Sequence, residues 1–222
     1  FAFDNLALYR VYTKFPNAEP ANHICDLLYV TNCLGMTFNN ITELELAFDS
    51  TYNYIKKVRR RILDVENYDL YLNGRKVTDD ETLDGYGEYY TRSRKKLSKL
   101  PTLYFSQAKN TDMQMRIYDK ARELNENSPH KADRLKDWLC WEDMTNFCRV
   151  EVVLHNTNVR EFLDRYGERL YGENGDHSNI LNLLGMSDFR LAMFLDSADR
   201  MIYFREKKTR EKISLVEVCS GI

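Results

Sequence analysis

Three segments of this chain alternate polar and apolar residues at a period of two: Ile41 to Asp49 (ITELELAFD), Asp112 to Tyr118 (DMQMRIY) and Phe147 to His155 (FCRVEVVLH). That period marks a strand with one apolar and one polar face. Leu44, Leu46 and Phe48 fall on one side of the first, opposite Glu43, Glu45, Ala47 and Asp49. In the second, Met113, Met115 and Ile117 oppose Asp112, Gln114, Arg116 and Tyr118. In the third, Val150, Val152 and Leu154 oppose Arg149, Glu151, Val153 and His155. An antiparallel sheet with one solvated face shows this pattern.

The remaining segments point to helices around such a sheet. Leu6 to Thr13 reads as a strand and the stretch from Pro20 as a helix with Ile24, Leu27, Leu28 and Leu34 inward. Residues 51 to 64 read as a helix carrying Lys56, Lys57, Arg59, Arg60 and Arg61. Tyr68 to Val77 contains Asn73-Gly74, the signal of a tight hairpin. Thr102 to Phe105 is a further strand, and a helix is expected from Asp119. From Val159 the chain reads as mostly helical, with a GENGDHSN turn and a final basic helix around Arg205 to Lys212. The expected class is α+β: a mostly antiparallel sheet carrying the site, helices on its other face, and a helical segment over 156 to 222 that packs beside it or forms a homodimer contact. Residues 1 to 222 are expected to make one domain, and the opening Phe1, in place of Met, predicts a fragment lacking its native N-terminus.

Composition narrows the function classes. With 43% hydrophobic residues the chain lies far from disordered compositions. No run of eighteen apolar residues and no signal segment occurs, so no membrane partner and a cytoplasmic location are expected. The net charge of -2 gives no global attraction to phosphate, so any nucleic-acid surface has to be local. The run Arg92, Arg94, Lys95, Lys96 and Lys99 is uninterrupted by acids and follows Tyr86, Tyr89 and Tyr90, which either stack on unpaired bases or pack on their own domain. The cluster from Lys56 to Arg61 reads as the solvated side of a helix. Five scattered cysteines without a CxxC pair read as reduced and structural.

If the three alternating strands share a sheet, Glu45, Asp49, Arg116, Tyr118, Arg149 and Glu151 converge on one face. Ordinary cross-strand pairs on a surface sheet produce the same alternation. The ordered trio ITELELAFD, MRIYDK (Met115 to Lys120) and CRVEVVL (Cys148 to Leu154) also resembles the Rep_trans family, replication initiators of rolling-circle plasmids with related relaxases in integrative conjugative elements. The resemblance covers roughly residues 41 to 155. It implies that Tyr118 is the nicking nucleophile and that Glu45, Asp49 and Glu151 occupy the acidic positions associated with a divalent metal, Mg²⁺ or Mn²⁺. Glu43 stands where the family usually has arginine, Glu45 where it has aspartate. The family's glycine-serine-arginine turn appears as Ser106-Gln107-Ala108-Lys109, keeping only the basic Lys109.

The residue types suit phosphodiester chemistry. A charged phosphodiester repels nucleophiles, so cleavage needs a cation to neutralise its oxygens and an oriented hydroxyl for in-line attack. Arg116 lies two residues before Tyr118 on its strand face, and Lys120 falls near the strand end; either can hold the phosphate. Carboxylates suit Mg²⁺ or Mn²⁺. Glu45 and Asp49 are about 13 Å apart along an extended strand, so Glu45 with Glu151 are the expected direct ligands and Asp49 an outer partner. Arg92, Arg94, Lys95, Lys96, Lys99, Lys109 and Arg149 are the expected DNA contacts. His155 reads as surface or hydrogen-bonded structure. The expected activity is metal-dependent nicking and rejoining of origin DNA, single-stranded at the nick, with a helicase as a further partner; conjugative transfer by the same chemistry, or sequence-specific DNA binding without cleavage, are the alternatives.

Overall fold

The computed structural model describes residues 33–36, 40–50, 52–79, 83–85, 88–90, 102–106, 113–127, 129 and 145–220. The expected strand at Leu6 to Thr13, the helix from Pro20, the basic run at 92 to 99 and Lys109 lie outside them. The chain divides into two compact units, one of Phe1–Thr42 with Val159–Met193, the other of Glu43–Asn158 with Phe194–Ile222.

The second unit holds an antiparallel four-stranded sheet built from β1 (Glu43–Ser50), β6 (Thr102–Ser106), β7 (Met113–Asp119) and β8 (Cys148–His155), in the order β1-β8-β7-β6. All three alternating segments are therefore adjacent strands. Their apolar sides are buried at Leu46, Met113, Met115, Ile117, Val150, Val152 and Leu154. Phe48 departs from this: it is 42% exposed, although its ring packs 6.0 Å from those of Tyr54 and Phe194. Helix α1 (Tyr54–Leu63) packs on β7 through the face that buries Ile55, Val58 and Ile62. Asn53 caps it, accepting from the Lys56 amide at 3.1 Å, which satisfies one of the open donors of the first turn. Its basic run is less solvated than expected. Lys57 Nζ donates to the Cys219 carbonyl at 3.0 Å, Arg61 lies 4.0 Å over the Tyr68 ring, and burial lowers the Arg59 pKa.

A second antiparallel sheet, in the order β10-β9-β2-β3, joins β2 (Tyr68–Leu72), β3 (Arg75–Lys76), β9 (Ile202–Glu206) and β10 (Lys212–Ser214). Asn73 and Gly74 take positive φ, 52° and 76°, as the two-residue hairpin turn requires. The expected basic helix at Arg205 to Lys212 is instead the β9–β10 hairpin: Tyr203, Phe204, Arg205 and Glu206 alternate outward and inward, a strand period that the surrounding charges obscure. Short strands β4 (Leu83–Gly85) and β5 (Glu88–Tyr90) pair separately. Helix α2 (Lys120–Asn127) follows β7 directly. At the C-terminal end, Ser214 and Glu217 form a reciprocal capping box for the last helix (Leu215–Ser220), with the Ser214 amide donating to Glu217 Oε2 at 2.6 Å and the Glu217 amide to Ser214 Oγ at 3.2 Å.

Among the described residues, the other unit includes α4 (Ile180–Gly185) and parts of α3 (Asn156–Tyr171) and α5 (Ser187–Met201), which extend across its boundary. Within it Phe162 meets Phe189 edge-on at 5.6 Å. The backbones of Gly167 and Gly175 touch: a Cβ on Gly167 would lie 2.0 Å from the Gly175 carbonyl oxygen, so no larger residue fits without displacing the GENGDHSN turn.

Candidate active site

The register of the first sheet sets the residues of its polar face in rows. One row runs Asp49, Arg149, Tyr118 and Thr102; the next Ala47, Glu151, Arg116 and Tyr104; the third Glu45, Val153 and Gln114. Acids and guanidinium groups thus alternate along and across the face.

Glu151 is the centre of this lattice. Its side chain is 3% exposed, its Oε1 accepts from Tyr118 Oη at 2.7 Å, and Arg116 Nε donates to its Oε2. Arg149 NH1 lies 3.4 Å from Oε1 as well. A buried carboxylate is tolerated only when so paired. Arg116 reaches a second acid through NH2, 3.6 Å from Glu45 Oε2. Arg149 clasps Asp49 with two nitrogens, NH2 to Oδ2 at 2.6 Å. At the end of β7, Asp119 accepts from the Arg122 amide at 2.9 Å and so caps α2, which brings Lys120 into the first helical turn beside Tyr118, its Nζ 5.5 Å from the ring centroid and 2.6 Å from Glu123.

The surroundings set the protonation states. Burial and the Glu151 charge hold the Tyr118 phenol well above its ordinary range, against the weaker pull of Arg149 and Arg116, so it is a neutral donor. Burial and then Glu151 raise Glu45, which Arg116, Arg149 and Lys120 offset in part. Burial disfavours the charged forms of Arg116 and Arg149, but Glu151 for the first and Asp49 for the second outweigh it and raise both. A concavity of about 180 Å³ opens on this face, lined by Glu43, Glu45, Tyr104, Gln114, Arg116 and neighbouring apolar residues. Tyr104 Oη donates to Gln114 Oε1 at 2.6 Å in its wall. Tyr118 is 8% exposed.

Six expected site residues, Tyr118, Arg116, Glu151, Glu45, Asp49 and Arg149, therefore share one face, with Lys120 at its edge. The Asp49 carboxylate is engaged by Arg149, and the Arg149 guanidinium is turned onto two acids and is 13% exposed, a different posture from that of an outward phosphate contact. Among the described residues no three His, Cys, Asp or Glu side chains gather as a ready metal cage. Tyr104 and Gln114 are not among the expected site residues; their place on the polar face opposite Arg116 and Val153 is set by a pairing partner, which no local pattern encodes. Comparison of the chain with protein-family models, with curated proteins and with solved structures finds no match in any of the three.

Proposed function

We propose that this protein is a DNA strand transferase that nicks one strand through Tyr118, in the manner of the replication initiators its three motifs resemble. The observation that carries the reading is the Tyr118–Glu151–Arg116 array: a phenol that donates to a buried carboxylate, with a guanidinium on the carboxylate's other oxygen. A neutral phenol is a weak nucleophile, and a hydrogen-bonded base is what activates one. Glu151 accepts the Oη proton as Oη attacks the scissile phosphorus. The P–O3′ bond breaks, the 3′ oxygen leaves and takes a proton, and a 5′-phosphotyrosyl bond remains. Attack by a 3′-hydroxyl reverses these steps and rejoins the strand. Arg116 and Lys120 neutralise the phosphate oxygens as charge develops.

Mg²⁺ or Mn²⁺ fits this face on a limited donor set. Such ions are commonly held by one or two carboxylates together with substrate phosphate and water. Glu45, whose charge is made costly by burial and by Glu151, is the carboxylate best relieved by a cation, with Glu151 beside it. Asp49 serves instead to hold Arg149. When bound, the ion supplies Lewis-acid neutralisation of the phosphate.

The test is incubation with labelled single-stranded DNA containing a cognate origin plus Mn²⁺, followed by a denaturing gel. A covalent adduct is expected from the unmodified protein and none from Tyr118→Phe, with binding retained. An adduct that persists in Tyr118→Phe would move the nucleophile to Tyr104. The low exposure of Tyr118 favours one second reading, DNA binding without cleavage, for which a mobility shift with no adduct from either protein is the outcome.

A further inference from the structure

The second sheet carries an outward face unlike that of the first. Its apolar side chains Leu70, Ile202 and Phe204 are fully buried on the inner side. Outward, two rows run across the strands: Lys76, Tyr71, Tyr203 and Ser214, then Asp69, Arg205 and Lys212. Tyr71 and Tyr203 stack at 4.8 Å with 8° between their planes. Arg205 lies 5.7 and 5.9 Å from the two rings, and Lys212 Nζ 4.7 Å from that of Tyr203.

Beneath the cations sits one buried acid. Asp69 is 2% exposed and takes Lys76 at 3.0 Å, Arg210 at 3.3 Å and Lys207 at 3.8 Å. One carboxylate cannot neutralise three cations, so the cluster keeps a positive surplus while its geometry is held from below. The turn from Lys207 to Arg210 is held too. The Arg210 amide donates to the Glu206 carbonyl at 2.8 Å, the Lys207 amide to Asn67 at 2.8 Å, and Lys207 Nζ to the Val65 carbonyl at 2.7 Å. Arg210 itself adopts φ 65°, a left-handed conformation that a non-glycine residue enters at a cost. In a chain of net charge -2, this sheet and turn gather Lys76, Arg205, Lys207, Lys208, Arg210 and Lys212 on a preorganised surface. These six cations outnumber, by one, the five acids beside them: Asp69, Glu206, Glu211, the Asp199 that pairs with Lys212, and Glu217, whose carboxylate also feels the Lys212 charge.

We propose that this face, from Lys76 across the tyrosine pair to the turn at Lys207 to Arg210, binds the sugar-phosphate backbone of DNA, apart from the Tyr118 site. Naming DNA as the polyanion rests on the proposed function; the charge surplus does not. The tyrosine rings are stacked on each other and covered by cations, so contact is to phosphates, and binding is indifferent to sequence. A membrane surface fits less well, because adhesion to a bilayer uses exposed apolar side chains and those of this sheet point inward.

The test measures binding of the full chain to a fluorescent mixed-sequence oligonucleotide, single-stranded or duplex, over a range of salt, for the unmodified protein and for Lys208→Gln with Lys212→Gln. The double variant is expected to flatten log K against log[salt] by about 0.7 (single strand) to 0.9 (duplex) for each phosphate no longer neutralised. In the unmodified protein, DNA should protect Lys76, Lys207, Lys208 and Lys212 from acetylation, a readout that needs no variant to fold. An unchanged slope with unprotected lysines overturns the proposal, as does protection by phosphatidylserine vesicles without protection by DNA. The covalent adduct at saturating DNA separates the two readings: weakened binding by the double variant with no adduct from either protein sinks nicking alone, and an adduct from both with unchanged binding and no protection sinks this surface alone.

Discussion

At the scale of single residues, two carboxylates on one sheet face have opposite duties. Glu151 is buried and saturated with donors, whereas Glu45, with 31% of its side chain exposed, borders the concavity and carries a charge that burial and Glu151 make costly. A carboxyl raised in the folded state stabilises the fold when protonated, below its unfolded value near 4.5, and loses that contribution as pH rises through the raised value. Glu45→Gln is therefore expected to stabilise the fold slightly at pH 7, by less than about 1 kcal/mol, with the gain shrinking toward pH 4. A thermal melt series in pH checks the sign; a variant less stable at pH 7 than at pH 4, relative to the parent, contradicts it. Glu151→Gln is expected to go the other way and destabilise by about 2 kcal/mol, because an amide cannot accept from Tyr118 and both arginines without leaving its own donor buried. Denaturant unfolding measures this, and the same two variants are expected to lose adduct formation.

At the scale of elements, the β9–β10 hairpin and β2 depend on Asp69. Burial pushes this carboxyl up, but the Lys76 hydrogen bond and the charges of Lys76, Lys207 and Arg210 together hold it below its ordinary range. A depressed carboxyl contributes stability above its unfolded value near 3.8, and this is lost as pH falls through the folded value. Asp69→Asn is thus expected to cost about 2 kcal/mol at pH 7, since its partners are partly solvated, and to converge with the parent in strong acid. Denaturant unfolding at pH 7 and pH 3 measures the loss and its shrinkage. That the local pattern points to a helix where a hairpin forms has a physical origin. Seven charged residues between Arg205 and Lys212 leave no apolar period to read, and the strand exists because Leu70 and Phe204 pair across a separation of more than a hundred residues.

At the scale of the whole molecule, net charge -2 means that the proposed DNA binding has to come from local surfaces. The acid-free run at Arg92 to Lys99 and the second sheet make separable contributions on this view. Replacing Arg94, Lys95 and Lys96 together by alanine is expected to weaken binding across sequences and flatten the salt slope by about 0.7 to 0.9 for each phosphate left without its cation, leaving the cleavage position unchanged at saturating DNA. Binding titrations at several salt concentrations measure the slope. An unaltered slope would make that run an ordinary solvated surface.

What the sequence determined alone was local: the period of two at Glu43 to Asp49, Met113 to Tyr118 and Cys148 to His155, the Asn73-Gly74 turn, and the side of each strand on which its charged groups fall. These depend on backbone geometry that repeats every two residues, so they are legible without partners. Tertiary structure decided which strands are neighbours and in what register, and so that Glu151 meets Arg116 and Tyr118, and that Asp49 is taken by Arg149. It also decided that Asp69 gathers Lys76 from one hairpin and Lys207 and Arg210 from another. Pairings such as Tyr118 with Glu151, 33 positions apart, and Asp69 with Arg210, 141 apart, are chosen by the burial of a shared core, and a local pattern holds no record of that choice.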